Sequence, residues 1–484
     1  MTAARRSLWL SLGDSYLMLV LQLVSTMIIA RVLTPAEIGV FAIAAVFSSL
    51  ASMFRDFGIG EYMIQERELT SEKISAALAL NIIVSWAMAG AMYVAAPSVA
   101  GFYANEGVAR VMRVQAFGFL LVPFGAVTMA WFRREMNLTP VMICNVAGNV
   151  TGFIVSVSLA LHGFGYMSLA WSAVAAIAVT VTLSVTFRPA TFPRWPSLKG
   201  FREVFNFSKF VSLMYIVGQL GKGAPEMIIG RAAGVVDVAM FSRGNGMVEM
   251  FNRLVMRSVM MVCMPYFAKS DREQGSIAAA YVRSVSYLTA VGWPFLAFLG
   301  IAAFAAIRII YGPRWDDAVQ LAQVLCLACA VELVHVMSRE ALLARGLAKD
   351  ANTLQTLLVV AQVLGLTMVL PFGLLGAVWG LAAAAAAGVF LSQWFLARGI
   401  GLRASDLVRA CLPSAYVSLL AATPTAIWAL IDGVNLENYL TFGFGGGSLT
   451  ALTWLVAIHV LRHPIVEELA LIKRRLAGWV GVSR

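Results

Sequence analysis

The chain has 484 residues, of which 60% are hydrophobic and only 13% are charged, and its mean hydropathy is +0.82. Soluble domains carry about 25% charged residues, so this composition excludes a water-soluble protein of this size. Apolar stretches of about 20 residues recur along the whole length, which is typical of membrane-spanning helices. The net charge of +11 is therefore attributed to the flanks of these spans, and nucleic-acid binding is excluded.

The apolar stretches predict an all-α polytopic membrane protein with about 14 transmembrane helices. The predicted spans are 12–32, 37–55, 74–95, 110–131, 139–161, 166–187, 208–229, 236–261, 281–306, 317–338, 353–371, 374–397, 409–430 and 440–461. An even number of spans puts both termini on one side. Of the 36 Lys and Arg residues, 26 fall on that side and 7 on the other. By the positive-inside rule, both termini are predicted to be cytoplasmic.

A basic segment with three prolines divides the chain after the sixth span. The predicted parts are an N-terminal six-span lobe at 1–187, a cytoplasmic linker at 188–207, a second six-span lobe at 208–400, and two additional spans with a cytoplasmic tail at 401–484. The second lobe repeats the first, because the segment Ile-Ile-Ala-Arg ending at Arg31 matches Ile-Ile-Gly-Arg ending at Arg231, 200 residues later. Six spans separate the copies, so the repeat is parallel. Two such lobes around a central cavity are typical of a transporter.

Charged side chains inside spans are costly and indicate functional sites. Span eight carries Arg243, Arg253 and Arg257, which share one sector of a regular helix at 100° per residue. Glu249 can pair with Arg253, but one acid cannot neutralise three arginines, so a basic stripe is predicted. Lys222, Arg231 and Arg31 add positive charge near the outer ends of their spans. Alternatively, Arg257 reaches the cytoplasmic interface, and Arg31 and Arg231 only mark span ends.

Acidic residues within spans are candidates for ion coupling. Asp14 lies in a polar strip on the first span, and its alternative role is an interface residue beside the N-terminal arginines. Glu249 lies in span eight, and Glu332 shares a helix face with His335 in span ten. The Glu332–His335 pair is either linked to proton transfer or a structural hydrogen bond.

No catalytic or metal-binding motif is present in the sequence. The five cysteines lie mostly in apolar runs, where Cys behaves as a small hydrophobic residue. The glycine-rich segment 443–447 lacks the Lys of a phosphate-binding loop. We therefore expect no cofactor, no metal and no enzymatic activity, and secondary transport is the function that remains.

Several short motifs resemble those of bacterial polysaccharide transporters. The link between the first two spans, Arg31 to Gly39, reads R-V-L-T-P-A-E-I-G and is similar to their R-x-L-[ST]-P-x-[ED]-[FY]-G pattern. Further resemblances, in chain order, are D-F-G-I-G at 56–60, R-R-E-M at 133–136, P-Y-F at 265–267 and G-P-R-W at 312–315. The chain thus resembles the Wzx/polysaccharide-transporter branch of the multidrug/oligosaccharidyl-lipid/polysaccharide exporter superfamily.

The resemblance implies a flippase that moves an undecaprenyl-diphosphate-linked oligosaccharide across the bacterial inner membrane by ion-coupled alternating access. Its product would be an exopolysaccharide, a capsule or an O-antigen. The implied partners are the lipid-linked oligosaccharide, membrane lipids and the polysaccharide polymerase or export machinery. Arginine suits the diphosphate through bidentate hydrogen bonds. The alternative is a multidrug or small-molecule antiporter of the same superfamily, although that function favours an acidic cavity. A polymerase or ligase of lipid-linked sugars is disfavoured because the outer loops are short.

Overall fold

The computed structural model describes residues 18–56, 59–189, 192–193, 195–199, 204, 221–273, 275–468 and 470. Within these ranges the chain consists of helices joined by short turns, and no β-strand occurs. The helices that lead up to residue 251 are α1 (Met18–Val32), α2 (Pro35–Asp56), α3 (Ile59–Gln65), α4 (Ser71–Tyr103), α5 (Glu106–Arg134), α6 (Leu138–Leu161), α7 (Tyr166–Thr186), α8 (221–232) and α9 (Val235–Phe251).

A π-helical turn, Asn252–Met256, comes directly after α9. The remaining helices are α10 (Arg257–Arg272), α11 (Ile277–Ile301), α12 (Ala303–Ile310), α13 (Ala318–Glu332), α14 (Ser338–Ala344), α15 (Ala348–Val369), α16 (Leu374–Ile400), α17 (Ala404–Asp432) and α18 (Tyr439–Val460). Short 3₁₀ turns occur at Pro313–Trp315 and Leu370–Phe372.

Nine helices in the described ranges are long and apolar enough to cross a membrane. The count rises to ten if α5, whose two halves are bent by 52° at Pro123, is taken as one span. Proline causes such a bend because it cannot donate the helical hydrogen bond and its ring clashes with the preceding turn. Two shorter apolar helices, α1 and α13, also coincide with predicted spans. The predicted all-α polytopic fold is confirmed, and the total of about 14 spans stays a prediction.

By packing, the chain forms two compact units. The first comprises Met1–Ala239 together with Ile310–Arg314, and the second comprises Met240–Ile309 together with Trp315–Arg484. This division lies later in the chain than the predicted linker at 188–207.

The later division has a local cause, because α8 packs inside the first unit. Gly223 and Gly230 of α8 face Val46 and Ile43 of α2, and a methyl group at Gly230 would lie 2.9 Å from the Ile43 side chain. The Tyr103 hydroxyl of α4 donates a hydrogen bond of 3.2 Å to the Met227 carbonyl of α8. Small residues thus let span seven approach spans two and three closely.

Both units pack their helices in the same order. In the first unit α4 lies on α5, α5 on α7, and α6 on α7; in the second, α11 lies on α13, α13 on α16, and α15 on α16. The last pair in each unit meets at glycines. A methyl group at Gly148 would lie 2.1 Å from the Thr180 hydroxyl, and one at Gly380 would lie 2.0 Å from the Gly365 carbonyl. This matching order of contacts is what a parallel repeat produces.

The two helices outside the repeat belong to the second unit, where α17 packs on both α11 and α18. A buried polar cluster joins them. Ser414 of α17 donates to the Ser286 carbonyl of α11 at 3.0 Å and lies 3.2 Å from Nε2 of His463. The Ile465 amide donates to Nδ1 of His463, which assigns the proton to Nε2. Burial lowers the pKa of His463, which lies beyond the last span.

Candidate functional site

Arg31 and Arg231 hold corresponding places at the ends of α1 and α8. The Arg31 guanidinium donates hydrogen bonds of 3.0 Å to the carbonyls of Met27 and Ile310. The Arg231 guanidinium lies 5.1 Å from the centre of the Phe102 ring, a cation–π contact. Both side chains are exposed, and each also contacts residues of the first unit.

The other predicted residues of this part of the chain are Lys222 and Asp14. Lys222 is exposed in the first turn of α8 that the structure describes. Asp14 lies outside the described residues. Arg31, Arg231 and Lys222 are thus all exposed residues of the first unit, and their contact with substrate stays a prediction.

Arg243 stacks on a buried aromatic ring within the second unit. Its guanidinium carbon lies 5.1 Å from the centre of the Trp315 ring, and Trp315 is fully buried. Trp315 belongs to the Gly-Pro-Arg-Trp motif. Residues on either side of this motif are joined by hydrogen bonds from the Arg308 guanidinium to the Asp316 carboxylate. Gly244 lets α9 approach α13, since a methyl group there would lie 3.2 Å from the Ala322 amide nitrogen. Packing thus holds the Arg243 side chain with its face on Trp315.

Arg253 lies in the π-helical turn and is exposed. The Glu249 carboxylate lies 3.5 Å from the Asn252 side-chain amide, and no ion pair joins it to Arg253 although the structure describes both residues. The expected Glu249–Arg253 pair is therefore wrong. A π turn inserts the equivalent of one extra residue into a helix, which rotates all later residues of the span by about 100°. The span-eight arginines therefore do not share the one sector that a regular helix predicts, because the residues after Phe251 are rotated relative to those before it.

Two further predicted residues, Arg257 and Glu332, mark the ends of helices. The backbone of Arg257 begins α10, and its side chain is not among those that the structure describes. Glu332 is exposed at the last residue of α13. After Glu332 the helix is broken over residues 333–337, and α14 begins at Ser338. The acidic candidates Glu249 and Glu332 are thus both exposed residues of the second unit, and a role in ion coupling stays a prediction.

Each unit contains a tryptophan that donates to a carbonyl of an interrupted span, a feature that sequence reasoning missed. The Trp86 indole of α4 donates to the Leu120 carbonyl of α5 at 3.2 Å, close to the bend at Pro123. The Trp293 indole of α11 donates to the Ala330 carbonyl of α13 at 2.8 Å, just before the break. In a membrane, a backbone carbonyl without its helical partner needs such a donor. The matching positions of the two tryptophans within spans three and nine were the available signal.

The residues of the Arg31–Gly39 motif have structural roles in the first unit. Pro35 begins α2, where its missing N–H is not needed. The Glu37 carboxylate accepts hydrogen bonds of 2.8 Å from the amide and the hydroxyl of Thr34, and the Thr34 hydroxyl accepts from the Glu37 amide. This arrangement is a capping box. At Gly39 a methyl group would lie 1.8 Å from the Val235 carbonyl, so only glycine fits.

Arg134 of the Arg-Arg-Glu-Met motif also has a structural role, as a hydrogen-bond donor to backbone carbonyls. Its guanidinium donates to the carbonyls of Met63, Glu66 and Arg67, which close α3 and the turn after it. Lys73 donates to the Glu66 carboxylate at 2.8 Å, and this hydrogen bond holds the pKa of Glu66 below its usual range. The corresponding loop of the second unit places the Arg345 guanidinium on the Asp271 carboxylate of α10. The motif therefore ties the end of span four to α3 and to the turn before α4.

The described residues contain no group of three or more His, Cys, Asp or Glu side chains suited to hold a metal ion. All five cysteines are free, and four of them are buried. The polar chemistry of the candidate residues is therefore that of cationic and carboxylate groups beside aromatic rings.

Comparison with known proteins agrees with this architecture. Residues 28–320 match the family described as "Polysaccharide biosynthesis protein". The chain is 24% identical over 481 residues to the teichuronic acid biosynthesis protein TuaB of Bacillus subtilis, with 95% of each chain covered. It is 19% identical over 464 residues to the lipopolysaccharide biosynthesis protein WzxC of Escherichia coli, with 93% of this chain and 92% of that one covered.

Among solved structures, the lipid II flippase MurJ in an inward closed conformation has the same fold. The TM-score is 0.76 at 11% sequence identity, and the match covers 95% of this chain and 100% of that one. The fold is therefore that of the transporter superfamily expected from the sequence motifs, whose resemblance is confirmed. The family match covers more than half of the chain, so the protein belongs to the family of polysaccharide biosynthesis proteins.

Proposed function

We propose that this protein flips an undecaprenyl-diphosphate-linked oligosaccharide from the cytoplasmic to the periplasmic leaflet of the bacterial inner membrane during surface polysaccharide synthesis. The observation that carries the proposal is the family match over residues 28–320, together with relatives named for polysaccharide synthesis. The fold of a lipid II flippase supports it, because that protein acts on a lipid-linked substrate. In this proposal both termini are cytoplasmic, and polymerase or export machinery receives the product.

The anionic head of such a substrate is assigned to the basic residues of the spans. Arg253 is the first candidate, because its exposed guanidinium has neither a hydrogen bond nor an ion pair among the described residues. Arg243 is the second candidate, and the face of its guanidinium is held against Trp315. A guanidinium fixed in this way loses little side-chain entropy when it binds a phosphate. Arg31, Arg231, Lys222 and Arg257 complete the proposed set.

Transport of this kind requires no covalent chemistry from the protein, which agrees with the expectation that it is not an enzyme. Release of the head group needs a change of conformation and a driving force. Glu249, Glu332 and Asp14 are the proposed carboxylates for coupling to an ion. The two described ones, Glu249 and Glu332, lie at the surface of the second unit. The antiporter alternative is not favoured, because the relatives are named for glycan synthesis.

The test uses cells that lack this chain and receive it back on a plasmid. Surface polysaccharide, lipid-linked intermediate in the membrane and the amount of inserted protein are measured together. Loss of a charge-assisted hydrogen bond is worth about 1.5–3 kcal/mol, so Arg253→Ala is expected to lower export roughly 10- to 100-fold. Arg253→Lys is expected to restore it only in part, since the charge remains but the bidentate geometry is lost.

The matched control is Arg272→Ala, which removes an exposed arginine at the end of α10. This control should export at the wild-type rate. The proposed function is refuted if the restored wild-type chain leaves polysaccharide and lipid-linked intermediate unchanged. The assignment of Arg253 alone is refuted if Arg253→Ala exports like Arg272→Ala.

A further inference from the structure

Span ten is broken between α13 and α14 without a proline or a glycine. Residues 333–337 form turns between α13 and α14, and the Tyr281 hydroxyl of α11 donates a 3.0 Å hydrogen bond to the Val334 carbonyl inside the break. The same hydroxyl lies 3.0 Å from the Ser338 hydroxyl, which begins α14. Helices kink where a side chain inserts into the hydrogen-bond ladder. Non-helical backbone at membrane depth persists only where protein or water satisfies it.

His335 occupies the centre of this break and is about nine-tenths buried. Neither of its ring nitrogens forms a hydrogen bond of good geometry, and the carbonyls of Ala385 and of His335 itself lie close to the ring. Gly388 of α16 makes the space for the imidazole, because a methyl group there would lie 2.8 Å from Nε2. The imidazole is therefore buried beside backbone carbonyls, and packing rather than a strong hydrogen bond holds it in place.

The charged residues of the helices around the break lie elsewhere. Glu332 is exposed at the end of α13, and Glu340 contacts Arg339 on α14. The remaining described charged groups of α10, α11, α14, α15 and α16 lie toward helix ends: Lys269, Asp271, Arg272, Arg283, Arg345, Lys349, Asp350 and Arg398. Of these, Arg345 pairs with Asp271, Arg283 with Glu468, and Arg398 with the Trp394 ring. No described carboxylate faces the imidazole to compensate a positive charge there.

We propose that His335 is a proton-binding residue whose protonation opens the break in span ten. A neutral imidazole can stay packed against Gly388, but an imidazolium has two N–H donors and a charge that a dry bundle does not tolerate. Binding of a proton from bulk water therefore favours a conformation in which the break admits water or brings in the Glu332 carboxylate. The broken backbone supplies the two-state element that a histidine switch requires. This inference rests on the proposed function, since it gives the flippase a means of coupling to a proton gradient.

The structure provides a reporter for the opening. Sγ of Cys263 lies 3.3 Å from Sδ of Met337 inside the break, and Cys263 is buried. A variant that keeps Cys263 and replaces the other four cysteines by alanine is purified and labelled with a maleimide from about pH 8 to about pH 5.5, the range in which histidine titrates. Thiolate chemistry alone makes labelling slower at acid pH. The measured quantity is therefore the labelling rate divided by that of His335→Gln at the same pH, because the thiolate chemistry of Cys263 is the same in both. We expect this ratio to rise several-fold between about pH 8 and about pH 5.5.

The matched control is His459→Gln, which replaces an exposed histidine whose Nδ1 lies 2.7 Å from the Leu455 carbonyl of its own helix. The labelling rate of His459→Gln, divided by that of His335→Gln at the same pH, should show the same rise. A ratio of the otherwise wild-type rate to the His335→Gln rate that stays constant or falls on acidification would overturn the proposal. If His335→Gln fails to insert, Gly388→Ala provides the second variant, because crowding Nε2 should also raise labelling at neutral pH.

Export in cells then separates this inference from the proposed function. Wild-type export is expected to fall when an ionophore dissipates the pH gradient, and the residual export of His335→Gln is expected to be insensitive to it. Restoration of export by the wild-type chain tests the flippase itself, independently of His335. Equal sensitivity of wild type and His335→Gln would refute the proton-binding role while leaving the flippase intact.

Discussion

Arg134 closes the turn between α3 and α4, and its replacement by alanine should destabilise the first unit strongly. Three backbone carbonyls accept from this one guanidinium, at 2.9 Å for Met63, at 3.2 Å for Arg67 and at a close contact for Glu66. A hydrogen bond to a charged group contributes about 1.5–3 kcal/mol. Because the side chain is only partly buried, solvent screens part of this, and we expect a loss of about 2–4 kcal/mol in the free energy of unfolding.

The adjacent Arg133 is the matched control, because it is exposed and has the same chemistry. Arg133→Ala should change the free energy of unfolding by no more than about 0.5 kcal/mol. Four buried cysteines make thermal unfolding measurable with a thiol-reactive dye on the purified protein. Arg134→Ala should unfold several degrees below both the wild type and Arg133→Ala. Equal unfolding temperatures for the two alanine variants would refute the assignment of Arg134 as the residue that holds this turn.

Three further predictions concern packing and pH. Trp293→Phe should lower the free energy of unfolding by about 1–3 kcal/mol, because the Ala330 carbonyl loses its donor; in the same dye assay the exposed Trp379→Phe should resemble the wild type. Gly380→Ala should reduce the yield of folded protein on size-exclusion chromatography, since its methyl group meets the Gly365 carbonyl, whereas Gly90→Ala has open space and should not. Burial lowers the pKa of His463 below its unfolded value. The stabilising contribution of the neutral imidazole is therefore present above about pH 6.5 and is lost as the pH falls further. His463→Gln should flatten the acid side of the plot of unfolding temperature against pH, and an unchanged plot would contradict this.

The sequence predicted the class of fold because membrane insertion depends on local composition. Runs of about 20 apolar residues leave only the helix as a solution in lipid, and the offset of 200 residues between Arg31 and Arg231 predicted a parallel repeat. In the structure these two arginines end α1 and α8, and α2 and α9 begin three residues after those helices end. The motifs that resemble polysaccharide transporters likewise led to the correct family.

Side-chain partners were not predictable, because they depend on contacts between residues far apart in the chain. The regular helix assumed for span eight contains a π turn at 252–256, so equal angular steps did not describe Arg253. Glu249 lies near Asn252 instead of pairing with Arg253. Trp315 is distant from Arg243 in sequence, and no motif in either segment predicts that the two side chains stack.

The sequence by itself determined that this chain is a helical membrane transporter of the polysaccharide family, because hydrophobic length, basic loops and short motifs are local properties. Only the tertiary structure decided which motif residues donate hydrogen bonds to backbone carbonyls, as Arg134 does, and where spans four and ten are interrupted. The interruption of span ten carries no proline, so propensity gives no sign of it. It exists because Tyr281 and Trp293 of a neighbouring helix supply the hydrogen bonds that a broken helix in lipid requires.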